Sequence, residues 1–214
     1  MFGRLGWLSV LPGSVGGGIG FVTVQRAQRV GPARNRVLAV ALELFAQHGV
    51  SGTSIQMIAD ELGVTKAAVY FQFNAKEGLL RALVAPAIEE LRLLVEAAEG
   101  QPRRSGQVAT ALSGIVDLVI KNSRLNAVVL ADPAVSRLAH EDPILRDLTG
   151  RLDRLLAGPD PDARATVAAV MVGGGLMAAT TDPRLAELDK DDLREYLLEL
   201  ARRLLGLRAP RTRA

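Results

Sequence analysis

The sequence predicts an all-α fold: a small three-helix head followed by a larger helical body. Apolar residues recur three and four positions apart along most of the chain, the spacing that lines one face of a helix. Aromatic residues make up only 4% of the sequence against 49% hydrophobic, so the apolar content is mostly Leu, Ala and Val, which favours packed helices over sheets. Ser54 to Phe71 reads as two short helices hinged at Gly63, the pattern of a helix-turn-helix.

The first helix of the head is expected from Ala33 to His48. It carries Val37, Leu38, Ala41, Leu42, Leu44 and Phe45 on one face and stops at Gly49. Ile55, Ile58, Ala59 and Leu62 give the second helix its apolar face. Either Thr53 or Ser54 can cap it, and Thr53 with Gln56 three positions on would complete a capping box. Gly63 stands where a chain leaving a helix needs a left-handed residue. Thr65 can cap the third helix, in which Val69 faces inward while Lys66, Ala67, Ala68 and Tyr70 face out. A short helix with small residues, one cation and one aromatic on its outer face can enter a major groove closely. A helical hairpin in an ordinary core is the plain alternative.

A long helix follows from Lys76 to Glu99, with Asn74 as its expected cap and Pro86 expected to kink it. Lys76 in the first turn is notable, because a cation is disfavoured at the positive end of a helix unless an anion such as a DNA phosphate lies nearby. Gly100 to Gly106 breaks the pattern. Further helices are expected at Val108 to Ser123, Leu125 to Ala131, Ala134 to Ala139 and Asp142 to Leu156, with Gly158-Pro-Asp-Pro161 ending the last. Ala163 to Thr180 mixes small residues (Ala165, Ala168, Ala169, Gly173, Gly174, Gly175, Ala178, Ala179) with Val167, Val170, Met171, Val172, Leu176 and Met177. That is too much apolar surface for one face, and the small side chains permit close approach of another helix. Such a helix suits either a partner surface or the buried centre of a monomer. Leu193 to Leu207 supplies a last amphipathic helix.

Charge is unevenly divided. Residues 24–81 carry seven Lys or Arg against four Asp or Glu, whereas residues 82–214 carry eighteen against nineteen. The positive excess lies with the head, where Arg26, Arg29, Arg34 and Arg36 could follow a phosphate backbone or enter a minor groove, or form a solvated basic arm. Leu5 to Gln25 carries no charge. Pro12, the serines and the dense glycines make it a poor spanning helix, so residues 1–25 are read as a disordered leader or a start assigned too early, with no membrane association. The chain has no cysteine, which excludes disulfides and thiolate metal sites and fits a reducing cytoplasm. An enzyme is not expected. The two histidines, His48 and His140, lie in no metal-ligand spacing, and Gly16-Gly-Gly-Ile-Gly20 lacks the strand and helix of a dinucleotide site. No cofactor or metal is expected.

Four motifs in order then give the chain a resemblance: Ala41-Leu-Glu-Leu-Phe-Ala-Gln-His-Gly49, Thr53-Ser-Ile-Gln-Met-Ile-Ala59, Gly63-Val-Thr-Lys-Ala-Ala-Val-Tyr70 and Phe73-Asn-Ala-Lys-Glu77. Over residues 33 to 83 the sequence resembles the TetR family of bacterial transcriptional regulators. The resemblance implies an N-terminal helix-turn-helix DNA-binding domain at 26–75, a helical effector-binding and dimerisation domain at 76–208, and a flexible tail at 209–214. It makes Thr65 to Phe71 the recognition helix. Gln56, Lys66, Ala67, Ala68 and Tyr70 would lie at or near the bases, and Thr53, Ser54, Phe71 and Lys76 nearer the backbone. The family often has His where this chain has Gln72, which can bond a phosphate oxygen but cannot become cationic.

The implied partners are double-stranded DNA with a palindromic operator, a second copy of the chain, and a small, largely apolar effector that releases a repressor from DNA. The implied dimer surface includes Val167, Val170, Gly174, Ala178, Leu197, Leu200 and Leu204. Pocket residues chosen by apolar helical position are Leu83, Ile88, Leu91, Leu112, Ile115, Val116, Val119, Val129, Leu138, Met171, Leu176 and Met177. A helical small-ligand carrier that does not bind DNA is the alternative function.

Overall fold

In a computed structural model, helix α1 (Pro32–Gly52) opens with Pro32 in its first turn and loses helical geometry at Gly49, whose φ is +71°. The expected glycine stop is therefore a break within a longer element. The structure describes residues 31–132, 135 and 142–207. The leader with Arg26 and Arg29, the segment Ala134 to Ala139 apart from Val135, and the tail lie outside them.

Helix α2 (Ile55–Leu62) is capped by Ser54, whose hydroxyl accepts from the Met57 amide at 3.1 Å, which decides between the two candidate caps. It ends at Gly63, where φ +64° and ψ +33° are left-handed. The Val64 amide reaches back to the Ala59 carbonyl at 3.0 Å and the Gly63 amide to that of Asp60 at 3.1 Å. Two such reverse bonds satisfy carbonyls that a helix end leaves open. Helix α3 (Lys66–Gln72) starts at Thr65, which accepts from the Ala68 amide at 3.2 Å.

Helix α4 (Lys76–Glu99) keeps Pro86 within it. Its cap is Ala75, with no side-chain bond, and not Asn74 as expected. The body continues with α5 (Arg104–Lys121), α6 (Ser123–Ala131), α7 (Pro143–Ala157), α8 (Ala163–Ala179), a 3-10 turn at Pro183–Leu185, and α9 (Lys190–Leu204). α5 begins a turn before its expected start because Gly106 joins the helix instead of ending the loop. Asp142, Asp162 and Asp189 cap α7, α8 and α9 through their carboxylates. Every regular element among the described residues is helical, and none is long and apolar enough to cross a membrane.

Two cores result. In the first, Val37, Ala41 and Phe45 of α1 meet Ile55, Ile58 and Ala59 of α2, Val69 of α3, Phe73, and Leu79 and Leu80 of α4, with Val128 and Val135 joining from beyond the head. The second lies in the body, where Leu91, Val95 and Ala98 of α4 pack with Leu112 and Val116 of α5, Leu148 and Leu152 of α7, Val172 and Leu176 of α8, and Leu197 and Ala201 of α9. α4 and α5 approach closely at Gly114, where an added Cβ would lie 2.0 Å from a Leu94 methyl. Arg151 on α7 donates to both oxygens of Glu99 on α4, at 3.0 and 2.6 Å, and these bonds hold the Glu99 carboxyl below its ordinary pKa.

Replacing Gly63 by Ala should lower stability by about 1–2 kcal/mol, the penalty of a side chain in left-handed backbone, although open space surrounds it. The urea midpoint checks this. An unchanged midpoint would show that the turn relaxes freely.

Candidate nucleic-acid interface

The outer surface of the head gathers around an open groove of about 420 Å³. It is lined by Ser51 to Ile55 from the end of α1 into the start of α2, Lys66 and Tyr70 of α3, and Asn74 to Glu77 at the start of α4. Five residues selected from the sequence for DNA contact, Thr53, Ser54, Lys66, Tyr70 and Lys76, thus border one concavity. They come from three elements that the Gly63 turn and the Asn74 connector bring side by side.

α3 presents one buried and one exposed face. Val69 is fully buried, while Lys66, Ala67, Ala68 and Tyr70 are exposed, as the helical spacing predicts. Phe71 is 86% exposed, an apolar ring held in water at the end of the helix. Lys66 lies 5.9 Å from the centre of the Tyr70 ring, one turn along the same face. Gln72 is partly buried, and Thr65 is exposed while its hydroxyl caps the helix. On α2, Gln56 is exposed with its amide donating 2.7 Å to Asp60, which leaves its carbonyl oxygen and second N–H open.

Two expectations about this surface need correction. Thr53 is only 1% exposed, and its hydroxyl donates to the carbonyls of Leu44 at 3.1 Å and Gly49 at 2.8 Å. Its side chain therefore joins α1 to α2, and it is turned away from any backbone contact. Lys76 is also engaged: its ammonium donates to the carbonyls of Val50 at 2.9 Å and Thr53 at 3.0 Å. Carbonyl oxygens at the end of α1 supply the negative partner that a cation at a helix N-terminus needs. Sequence spacing gave no sign of this, because the partners are main-chain atoms more than twenty residues away.

With that geometry in place, the comparison with known proteins is direct. Residues 37–83 match the model for bacterial regulatory proteins of the tetR family. Over that segment the chain is similar to the tetR family of bacterial regulatory proteins. It is 42% identical over 60 residues to the transcriptional regulator SrpR of Pseudomonas putida, covering 28% of each chain. It is 40% identical over 60 residues to a probable acrEF/envCD operon repressor of Escherichia coli K12, covering 27% of each. The alignments therefore span little more than a quarter of those curated relatives. A tetR-family regulatory protein from Rhodococcus RHA1 shares the fold over 84% of this chain and all of its own, with a TM-score of 0.65 at 20% identity. The fold, an N-terminal helix-turn-helix followed by a helical C-terminal domain, is thus shared.

The body residues selected from the sequence divide less evenly. Of the pocket set, Leu91, Leu112, Val116, Val119 and Leu176 are buried in the body core, and Ile88, Ile115 and Met177 pack against it. Leu83 and Val129 pack instead against the head core, Leu138 lies outside the described residues, and Met171 is exposed on the outer side of α8. Of the dimer set, Val167, Val170, Gly174 and Ala178 share that outer side, and Leu200 and Leu204 are exposed on α9. Leu197 is the exception at 8% exposure. It lies one turn from Ala201 on the face of α9 turned into the chain's own core, and Tyr196 takes the outward position. Among the described residues no group of three His, Cys, Asp or Glu side chains could hold a metal.

Lys76→Met should lower stability by about 1.5–3 kcal/mol, since it strands two carbonyls that a charged donor satisfies. Denaturant unfolding measures it, and a loss below a few tenths would mean that water replaces the ammonium without penalty.

Proposed function

We propose that the chain is a cytoplasmic, dimeric regulator that represses transcription from a palindromic operator and is released by a small, largely apolar effector. The observation that carries the DNA-binding part is the exposed face of α3, with Lys66, Ala67, Ala68, Tyr70 and Phe71 beside a groove bordered by Ser54 and Lys76. Small side chains let the helix enter the major groove, Tyr70 and Phe71 offer apolar contact to thymine methyls or deoxyribose, and the amide-rich start of α2 faces phosphate. Repression is the sign borne by the Escherichia coli relative.

The outer side of α8 and α9 supports dimerisation. Val170 is 69% exposed and Tyr196 51%, with Val167, Met171, Leu200 and Leu204 also open. Several large apolar side chains left open on two neighbouring helices favour a partner. Gly173, Gly174 and Gly175 lie in the same helix with nothing within 4 Å of an added Cβ, so packing within the chain does not require them. Glycine in a helix interior costs about 1 kcal/mol relative to alanine. Close approach of a second α8 would offset that cost and place two α3 helices on one side of a two-fold dimer, matching a palindrome. The effector site is assigned to the body among Ile88, Leu112, Ile115, Val116 and Met177, whose apolar character favours an apolar ligand.

Footprinting of the full chain on DNA from its own upstream region, across a salt series, tests the reading. A protected palindrome is expected; diffuse, salt-sensitive binding alone would remove the operator. Tyr70→Ala should weaken that binding about tenfold while leaving the dimer intact, and unchanged affinity would remove α3 as the reading surface. Gly174→Glu should shift the protein to monomer in sedimentation experiments, and a stable dimer in that variant would move the interface elsewhere.

A further inference from the structure

Arg34 stands in the first turn of α1, and the sequence left it between a phosphate or minor-groove contact and a solvated basic arm. The structure turns it inward. Its Nη1 donates 2.8 Å to the main-chain carbonyl of Gln72, and its guanidinium carbon lies 4.0 Å from the centre of the Phe73 ring. Gln72 is the last residue of α3, so its carbonyl is one that a helix end leaves without an intrahelical partner. A cation there also opposes the negative end of the helix dipole. Phe73 is buried in the head core, so the surface on which Arg34 stacks is held in place. α3 has only seven residues, too few to hold its own last turn in water.

We propose that Arg34 is a positioning residue for DNA recognition. It locks the C-terminal end of α3 to the start of α1 and so sets the angle at which Lys66, Tyr70 and Phe71 meet the duplex, without itself contacting phosphate. The inference rests on the DNA-binding reading above. Only a planar guanidinium can donate in its plane and stack through its face at once, so charge alone does not replace it.

The test compares the full-length chain with Arg34→Lys and Arg34→Met. Affinity for the protected operator and for an unrelated duplex is measured across a salt series, and amide hydrogen exchange of residues 69–73 is followed in the DNA-free protein. Both variants should lose about tenfold in the ratio of operator to unrelated-DNA affinity, keep the salt slope, and exchange faster at the end of α3. The ratio does not depend on how much protein is folded, so reduced stability alone would not move it. A phosphate contact would instead lower the salt slope by about 0.9, leave the ratio in place and be rescued by lysine. That outcome overturns the proposal, as does unchanged exchange at residues 69–73. A parent chain with no operator preference overturns the DNA-binding reading and this role with it, whereas unchanged ratios in a parent that does bind overturn this role alone.

Discussion

Helices of eight and seven residues do not persist in water by themselves, and α2 and α3 are that short. Everything the head presents outward depends on what holds these two helices from within. Burial supplies most of it: Ile58, Ala59 and Val69 are fully enclosed against Phe45 and Leu79. Directional bonds supply the register. Ser54 and Thr65 cap the two helices, the Gly63 turn joins them, and Thr53, Lys76 and Arg34 tie their flanks to α1 and α4. Main-chain carbonyls accept all three of these tethers. They therefore constrain the path of the chain more than the chemistry of any one side chain.

α4 belongs to both cores. Leu79 and Leu80 at its start close the head, and Leu91, Val95 and Ala98 near its end pack into the body. α6 adds a second link, since Val128 enters the head core and Arg124 pairs with Glu43 of α1 at 3.2 Å. That pair is exposed and contributes little energy, so the valine carries the contact. For the regulator proposed here, a ligand that shifts α4 or α6 would move atoms packed directly against α1. The coupling then needs no longer path than one layer of side chains.

The outer side of α8 and α9 poses the opposite problem, an apolar face with no cover among the described residues. Ala169, Val172 and Leu176 on one side of α8 are buried, while Val167, Val170 and Met171 on the other are open. A helix that is apolar all round belongs in an interior, and a second copy is what would make this one interior. The glycines point the same way, because they lower helix stability without relieving any crowding in the chain. Crowding is what Gly114 does relieve, between α4 and α5.

Local chemistry was enough to read the helix order, the Gly63 turn, the inward Val69 and the exposed residues of α3, because periodicity, capping residues and left-handed glycine act over a few positions. The four spaced motifs also carried the likeness to the tetR family over residues 37–83. Placement on a helix face was less legible in the body, where an apolar residue suits a core, a pocket or an interface equally well. Leu197 and Met171 show this: neighbouring faces of α9 and α8 exchanged roles once the core had formed. Tertiary structure alone decided that Thr53 turns inward, that Lys76 grips the end of α1, and that Arg34 reaches the last carbonyl of α3. Each of those bonds joins a side chain to a main-chain oxygen. Every residue type offers the same oxygen, so no pattern in the sequence could mark the partner before the chain had folded.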